Sequence, residues 1–153
     1  MTTTAIARRS LDTRLNRLRP AQDFRPPPRG WIKALREALG MTTAQLARRL
    51  GVTQPNVVRL ERSEATRTVT LESLDKVARA LDCTLVYALV PNRALETVVR
   101  EQAMQVANRH LRASAHSMRL EDQAIHQKAG DELARQLAEE LLRGRPSRLW
   151  VEG

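Results

Sequence analysis

Gln54, Pro55, Asn56 and Arg59, flanked by Arg62, form the group of side chains in this chain best suited to meet a partner. Gln and Asn amides pair bidentately with the exposed edge of adenine, and an Arg guanidinium pairs in the same way with guanine. A helix that begins at such residues adds free N–H groups and the positive end of its dipole. This is the chemistry of reading base edges in the major groove of a duplex.

Other kinds of chemistry find little support. The six glycines are scattered and form no phosphate-cradling loop. No Ser-His-Asp set or pair of catalytic carboxylates can be argued, so the chain is not expected to be an enzyme. His110, His116 and His126 lack the i, i+4 spacing of a zinc pair; Asp122 and His126 have it, but two ligands do not make a site. The single Cys, Cys83, excludes an intrachain disulfide framework and reads as a buried small hydrophobe. No metal and no cofactor are expected.

The base-reading residues need a frame, and the punctuation around them supplies one. Trp31–Leu39 predicts a helix with Ile32, Leu35 and Leu39 apolar, stopped by Gly40. Thr42 can cap a second helix, Thr43–Leu50, whose inward face is Leu46, Ala47 and Leu50. Gly51 suits the left-handed turn that follows. Thr53 can cap a third helix with Pro55 in its first turn, where a missing N–H costs little. Val57 and Leu60 then point back to the core. Thr70 can cap a fourth helix with Leu71, Leu74, Val77, Ala78 and Leu81 on one stripe.

Length and charge agree with that frame. The chain has 153 residues, 42% of them apolar, enough for an ordinary core, and only 3% aromatic, which argues against most all-β folds. Its net charge is +9, and 23 of its 26 basic residues are Arg. Clustered guanidinium groups favour a polyanion partner. Residues 1–30 carry +5, residues 31–83 carry +3 and residues 84–153 only +1. The asymmetry assigns polyanion contact to the first half and protein contact to the second. No apolar run reaches the roughly 20 residues of a membrane helix and no signal-peptide core is present, so a soluble, cytoplasmic protein is expected.

Outside the central frame, Thr2–Pro20 reads as a short amphipathic helix with Ile6, Leu11, Leu15 and Leu18 near one face. Arg25-Pro-Pro-Pro-Arg29 is an extended linker. Together they are either a tether with a docking helix or a basic arm that follows a DNA backbone. Thr84–Val90 is β-branched and nearly continuous in apolarity, and predicts the chain's one strand. A lone strand needs another edge, and the same strand in a second copy is the simplest, giving a homodimer. A buried extended segment or a helical continuation is the alternative. From Asn92 onward the pattern is helical, with Leu95, Val98, Val99, Ala103, Val106, Ala107 and Leu111 on one face and Leu133, Leu137, Leu141 and Leu142 on another.

Residues 31–82 resemble the helix-turn-helix domain of the Cro/C1 (Xre) repressor family in their Leu-Ala, Gly-Val and Arg-Leu-Glu elements. The resemblance implies that Thr42 and Thr43 touch phosphate, as does Thr53 at its cap. It implies that Gln54, Pro55 and Arg59 face base edges, while the position of Asn56 often meets only the backbone. Ser63 stands where that family usually has Gly, so the turn after the recognition helix can differ. Arg67 becomes a backbone or minor-groove contact. Glu61 matches a near-constant acid of the family, which implies a partly buried, structural ion pair with Arg36.

The wider sequence resembles the family called mobile mystery protein A. The likeness runs through Arg-Pro-Pro-Pro-Arg-Gly-Trp-Ile-Lys-Ala-Leu-Arg-Glu-Ala-Leu-Gly-Met, Leu-Asp-Cys-Thr-Leu-Val-Tyr-Ala-Leu-Val-Pro, Met-Arg-Leu-Glu-Asp-Gln and a terminal Arg-Leu-Trp. That family is encoded on mobile elements beside a Fic-domain protein, which implies an antitoxin-like repressor that controls its own operon and restrains the Fic partner. The segment after the fourth helix also resembles the dimerising strand of HipB-type antitoxins. Ser117 and Glu121 have the spacing of the Fic-inhibitory helix, although Asp122 replaces its final Gly or Asn; an ordinary solvated helix end is the other reading.

The expected architecture is mainly α: a Cro/C1-type helix-turn-helix domain followed by one short β-strand and C-terminal helices. Its parts are an Arg-rich arm and proline linker (1–30), the helix-turn-helix domain (31–83), a dimerising strand (84–91) and a helical region for dimer or partner contact (92–153). The expected partners are double-stranded operator DNA, a second copy and a Fic-domain protein, with no membrane.

Overall fold

The computed structural model describes residues 2–115 and 123–151. Among them lie seven α-helices: α1 (Thr3–Asn16), α2 (Trp31–Ala38), α3 (Thr43–Leu50), α4 (Gln54–Ala65), α5 (Leu71–Ala80), α6 (Leu95–Ala115) and α7 (Gln123–Arg143). Short 3-10 turns form at Ala21–Phe24 and Pro146–Trp150. The helices fall into two compact units, Pro20–Leu89 and the pairing of Met1–Arg19 with Val90–Gly153.

In the first unit, α2 to α5 enclose Ile32, Leu46, Ala47, Val57, Val77 and Leu81, with Leu35, Met41, Leu50, Leu60 and Leu74 packed around them. Cys83 is only partly buried against this core. Each helix start has its own device. Thr42 and Gln45 make a reciprocal capping box on α3, Gln45 N donating to Thr42 Oγ1 at 3.2 Å and Thr42 N to Gln45 Oε1 at 2.8 Å. Thr70 Oγ1 accepts from Ser73 N at 3.1 Å to cap α5. Gly51, at φ 67°, takes the left-handed position that ends α3.

The start of α2 is capped from a distance. Trp31 N and Ile32 N donate to the two oxygens of Glu64, at 2.8 and 2.9 Å, across about half the domain's sequence. Gly30 precedes them at φ 86°, and a Cβ there would lie 2.5 Å from Glu64 Oε2. Only glycine both tolerates that backbone and leaves the carboxylate its seat. Glu64→Ala is expected to cost about 0.5–2 kcal/mol, the usual range for a lost helix cap. A thermal melt of the variant checks this.

The predicted strand is absent. Thr84–Val90 makes no β-ladder, and no residue among those described is in a strand. A strand is a pairwise structure, and the described residues offer this segment no second edge to bond to. Val86, Tyr87 and Leu89 therefore stand in solvent, at 80, 72 and 90% exposure, while Leu85 and Val90 are half-buried. β-propensity alone does not make a ladder.

In the second unit, α6 and α7 pack around Val99, Ala103, Ala107, Ala138 and Leu149, with Met104, Leu137, Leu141 and Leu142 alongside. Alanines at the contact let two helix backbones come close. That is why Ala134 and Ala138 are buried while Leu133, expected on the inner face, is about half exposed. Leu149 is pinned by Gln102, whose Nε2 donates to the Leu149 carbonyl at 2.7 Å.

The first helix belongs to this unit through polar contacts. Its inward stripe is Ala5, Arg8, Asp12 and Leu15, while Ile6 and Leu11, expected to share a face with Leu15, are 57% and 47% exposed. Asp12 accepts from Leu95 N at 2.8 Å and Glu96 N at 3.2 Å, capping α6. Arg8 Nε donates to Glu96 Oε2 at 3.0 Å.

Partial burial pushes the Glu96 carboxyl up, but hydrogen bonds and charge from Arg100 and Arg8 prevail and hold it below its ordinary range. A carboxyl depressed on folding stabilises above its unfolded pKa, about 4.3, and that support is lost as pH falls through the folded value. Protection of the α1 amides, relative to their intrinsic exchange rates, is therefore expected to fall as pH drops below the ordinary carboxylate range and through that depressed pKa. Unchanged protection there would remove Glu96 from the docking.

Candidate nucleic-acid interface

α3 and α4 meet across the turn Leu50–Thr53, with the Val52 amide donating to Ala47 O at 3.0 Å. Ala47 is buried where the two helices approach, and Val57 is fully buried on the inner side of α4. Seating Val57 inward turns Gln54, Pro55, Arg59 and Arg62 outward, and all four are exposed. Asn56 and Ser63 are half-buried at the margin.

The exposed edge is organised before any ligand arrives. Gln54 Nε2 donates to Thr43 Oγ1 at 2.9 Å, joining the first residues of α4 and α3. That hydroxyl keeps its own hydrogen to give away, and the Gln54 carbonyl oxygen is not used in the bond. Arg59 donates through Nη2 to Asn56 Oδ1, one helical turn back. Asn56 thus orients a guanidinium that has two further N–H edges to offer.

Thr53 occupies the N-cap position of α4, but its side chain makes no capping bond. The hydroxyl and the positive end of α4 are left for an external acceptor, which a phosphate suits well. Thr42 is exposed, and its hydroxyl accepts from Gln45 N while remaining a donor.

Beyond the recognition edge, α4 does not stop at Ser63 but runs to Ala65. Ser63 Oγ donates to the Leu60 carbonyl at 2.9 Å, and the Ser63 carbonyl accepts from Thr68 N at 2.8 Å and Val69 N at 3.2 Å. Where a glycine would end the helix, serine anchors the loop instead. The left-handed turn then falls on Arg67, at φ 60° with its side chain exposed.

Beneath this edge sits an ion pair. Arg36 and Glu61 are each 8% exposed. Arg36 Nε donates to Glu61 Oε1 at 2.6 Å and Nη2 to Oε2 at 3.3 Å, while Nη1 donates to the Met41 carbonyl at 2.9 Å. The Glu61 hydrogen bond holds the guanidinium charged, above its ordinary range, against the opposite pull of burial. Since Glu61 neighbours Leu60 on α4 and Arg36 lies on α2, the pair fixes α4 against α2.

A family model described as helix-turn-helix matches residues 32–87. Residues 32–87 are a helix-turn-helix domain of the Xre/Cro-C1 type. No curated protein and no solved structure matches the chain. Within the matched residues, α3 and α4 are the paired helices, and α4 carries the exposed Gln54, Pro55, Arg59 and Arg62. Sequence reasoning missed Glu64, because nothing local marks an acid that caps a helix so far back along the chain. Among the described residues no helix is long and apolar enough to cross a membrane. Ser117 and Glu121 lie outside the described residues.

Proposed function

We propose that the protein is a sequence-specific transcriptional repressor that works by binding, as a homodimer, to the operator of its own operon. The observation that carries this reading is the α4 edge, on which Gln54 and Arg59 are exposed yet already held by Thr43 and Asn56. Thr42, Thr43 and Thr53 flank it with hydroxyls for phosphate, and Arg62 and Arg67 add charge. Each protomer presents α4 to a major groove, with half-sites about one helical turn apart. The exposed Val86, Tyr87 and Leu89 support association of two copies, since apolar groups of that size gain by leaving water.

A footprint on the DNA upstream of the chain's own coding sequence tests the reading; protection of two half-sites supports it, and no protection at low salt overturns it. Arg62→Ala is expected to weaken specific and mixed-sequence duplexes alike and to reduce the salt slope by about 1, as the loss of one phosphate contact does. Sedimentation of the free protein checks the dimer.

The antitoxin-like pairing with a Fic-domain protein is supported by the sequence resemblance to mobile mystery protein A. The second unit offers such a partner an open cleft of about 590 Å³, whose lining includes Gln105, Asn108, Arg109, Arg112 and Trp150. Co-purification of the full chain with a Fic-domain protein encoded beside it tests this, and Arg109→Glu is expected to weaken the complex.

A further inference from the structure

The seven Arg of residues 1–30 do not do one job. Arg8 is spent on Glu96 at 3.0 Å, and Arg19 lies 3.9 Å from Asp12. Arg9, Arg14 and Arg17 are exposed and pair with no carboxylate among the described residues. At about 100° per residue, these three fall within an arc of roughly 140°, on the side of α1 away from the stripe of Ala5, Arg8, Asp12 and Leu15. Asp12 holds that stripe to the start of α6 through Leu95 N and Glu96 N. α1 is thus a docked helix whose inner face sets Arg8 and Asp12 between Ala5 and Leu15, and whose outer face is cationic.

We propose that the outer face of α1 with its C-cap residue, through Arg9, Arg14 and Arg17, is a second DNA contact that grips the phosphate backbone without reading sequence. The inference rests on the reading of the protein as a DNA-binding regulator and adds a surface outside its helix-turn-helix domain. Guanidinium groups bind phosphate as a fork and displace condensed counterions. A helix already docked loses less freedom on binding than a disordered arm does, so more of that attraction is retained as affinity. An anionic membrane surface is the competing occupant, because Ile6 and Leu11 are exposed on the same helix. Two apolar side chains bury too little to hold a helix in an interface, and Leu15 is turned inward, which favours duplex DNA.

The test uses the full chain with Arg9→Gln, Arg14→Gln and Arg17→Gln together. Its probes are a duplex of the chain's own upstream DNA and a mixed-sequence duplex of equal length, each titrated across salt. The slope of log affinity against log salt is expected to fall by about 2–3, at about 0.9 per phosphate released, equally for both probes. Lysines at the same three positions are expected to restore the slope, which separates charge from fold. Far-UV circular dichroism shows whether α1 is kept.

A glutamine variant with native helix content and an unchanged slope overturns the inference, and it does so outright if wild-type protein instead binds phosphatidylserine vesicles through these residues. Failure of the broader reading looks different: wild-type protein then binds neither duplex. If the slope falls for both probes while Arg59→Ala separately relaxes preference at one base pair, both stand.

Discussion

Glu61→Ala is expected to destabilise the helix-turn-helix domain by about 3–5 kcal/mol, because it strands the buried Arg36 charge. At about 4–8 °C per kcal/mol for a domain of this size, the melting temperature falls by more than about 12 °C. Glu61→Gln belongs at the low end, since its amide oxygen still accepts one hydrogen bond from Arg36. The doubly apolar variant Arg36→Met with Glu61→Leu is expected to recover much of the loss, because it removes both charges together. A Glu61→Ala protein that melts with the wild type would show that the pair has no structural role. The effect reaches function indirectly: the Arg36–Glu61 bonds join α2 to α4, so loosening them misaligns the base-reading edge.

Arg59→Ala is expected to weaken operator binding by about 1–3 kcal/mol, roughly 5- to 150-fold, and to relax preference at one base pair. Affinity for a mixed-sequence duplex should change far less, since a base contact contributes little where no matching base is offered. Asn56→Ala is expected to give a smaller loss at the same base pair, because Asn56 holds the Arg59 guanidinium. Competition binding with single-base operator variants reads both effects. Full discrimination retained by Arg59→Ala would remove α4 from the base-reading role. Nothing in the fold should move, because Arg59 is exposed and supports no buried group.

Much of the helix-turn-helix domain was legible residue by residue. The four helices of Trp31–Ala80 are visible because their apolar periods are clear and local residues mark most of their boundaries: Gly40, Thr42, Gly51, Thr53 with Pro55, and Thr70. These are local signals, decided within a turn or two of chain. The Arg36–Glu61 pair came from resemblance rather than from spacing, since no rule of local sequence joins residues so far apart.

The misreadings share a cause. Thr84–Val90 has the composition of a strand, but a ladder depends on a second edge that composition does not provide. The first helix has leucines at helical spacing, yet a polar stripe faces α6, because the carboxylate of Asp12 satisfies amide groups that an apolar side chain would leave bare. Leu133 loses the inner position to Ala134 for a reason of fit: two helix backbones approach more closely over a methyl group.

By itself, then, the order of residues determined where helices start and stop, which of their faces is apolar, and which side chains have the chemistry to read bases. Tertiary structure decided which of those side chains are already engaged: Gln54 with Thr43, Arg59 with Asn56, Arg8 with Glu96, and Glu64 with the start of α2. Caps and periodicity act over a few residues and leave their mark in the sequence. Pairing between distant segments depends on where the whole chain has folded, and no short stretch records it.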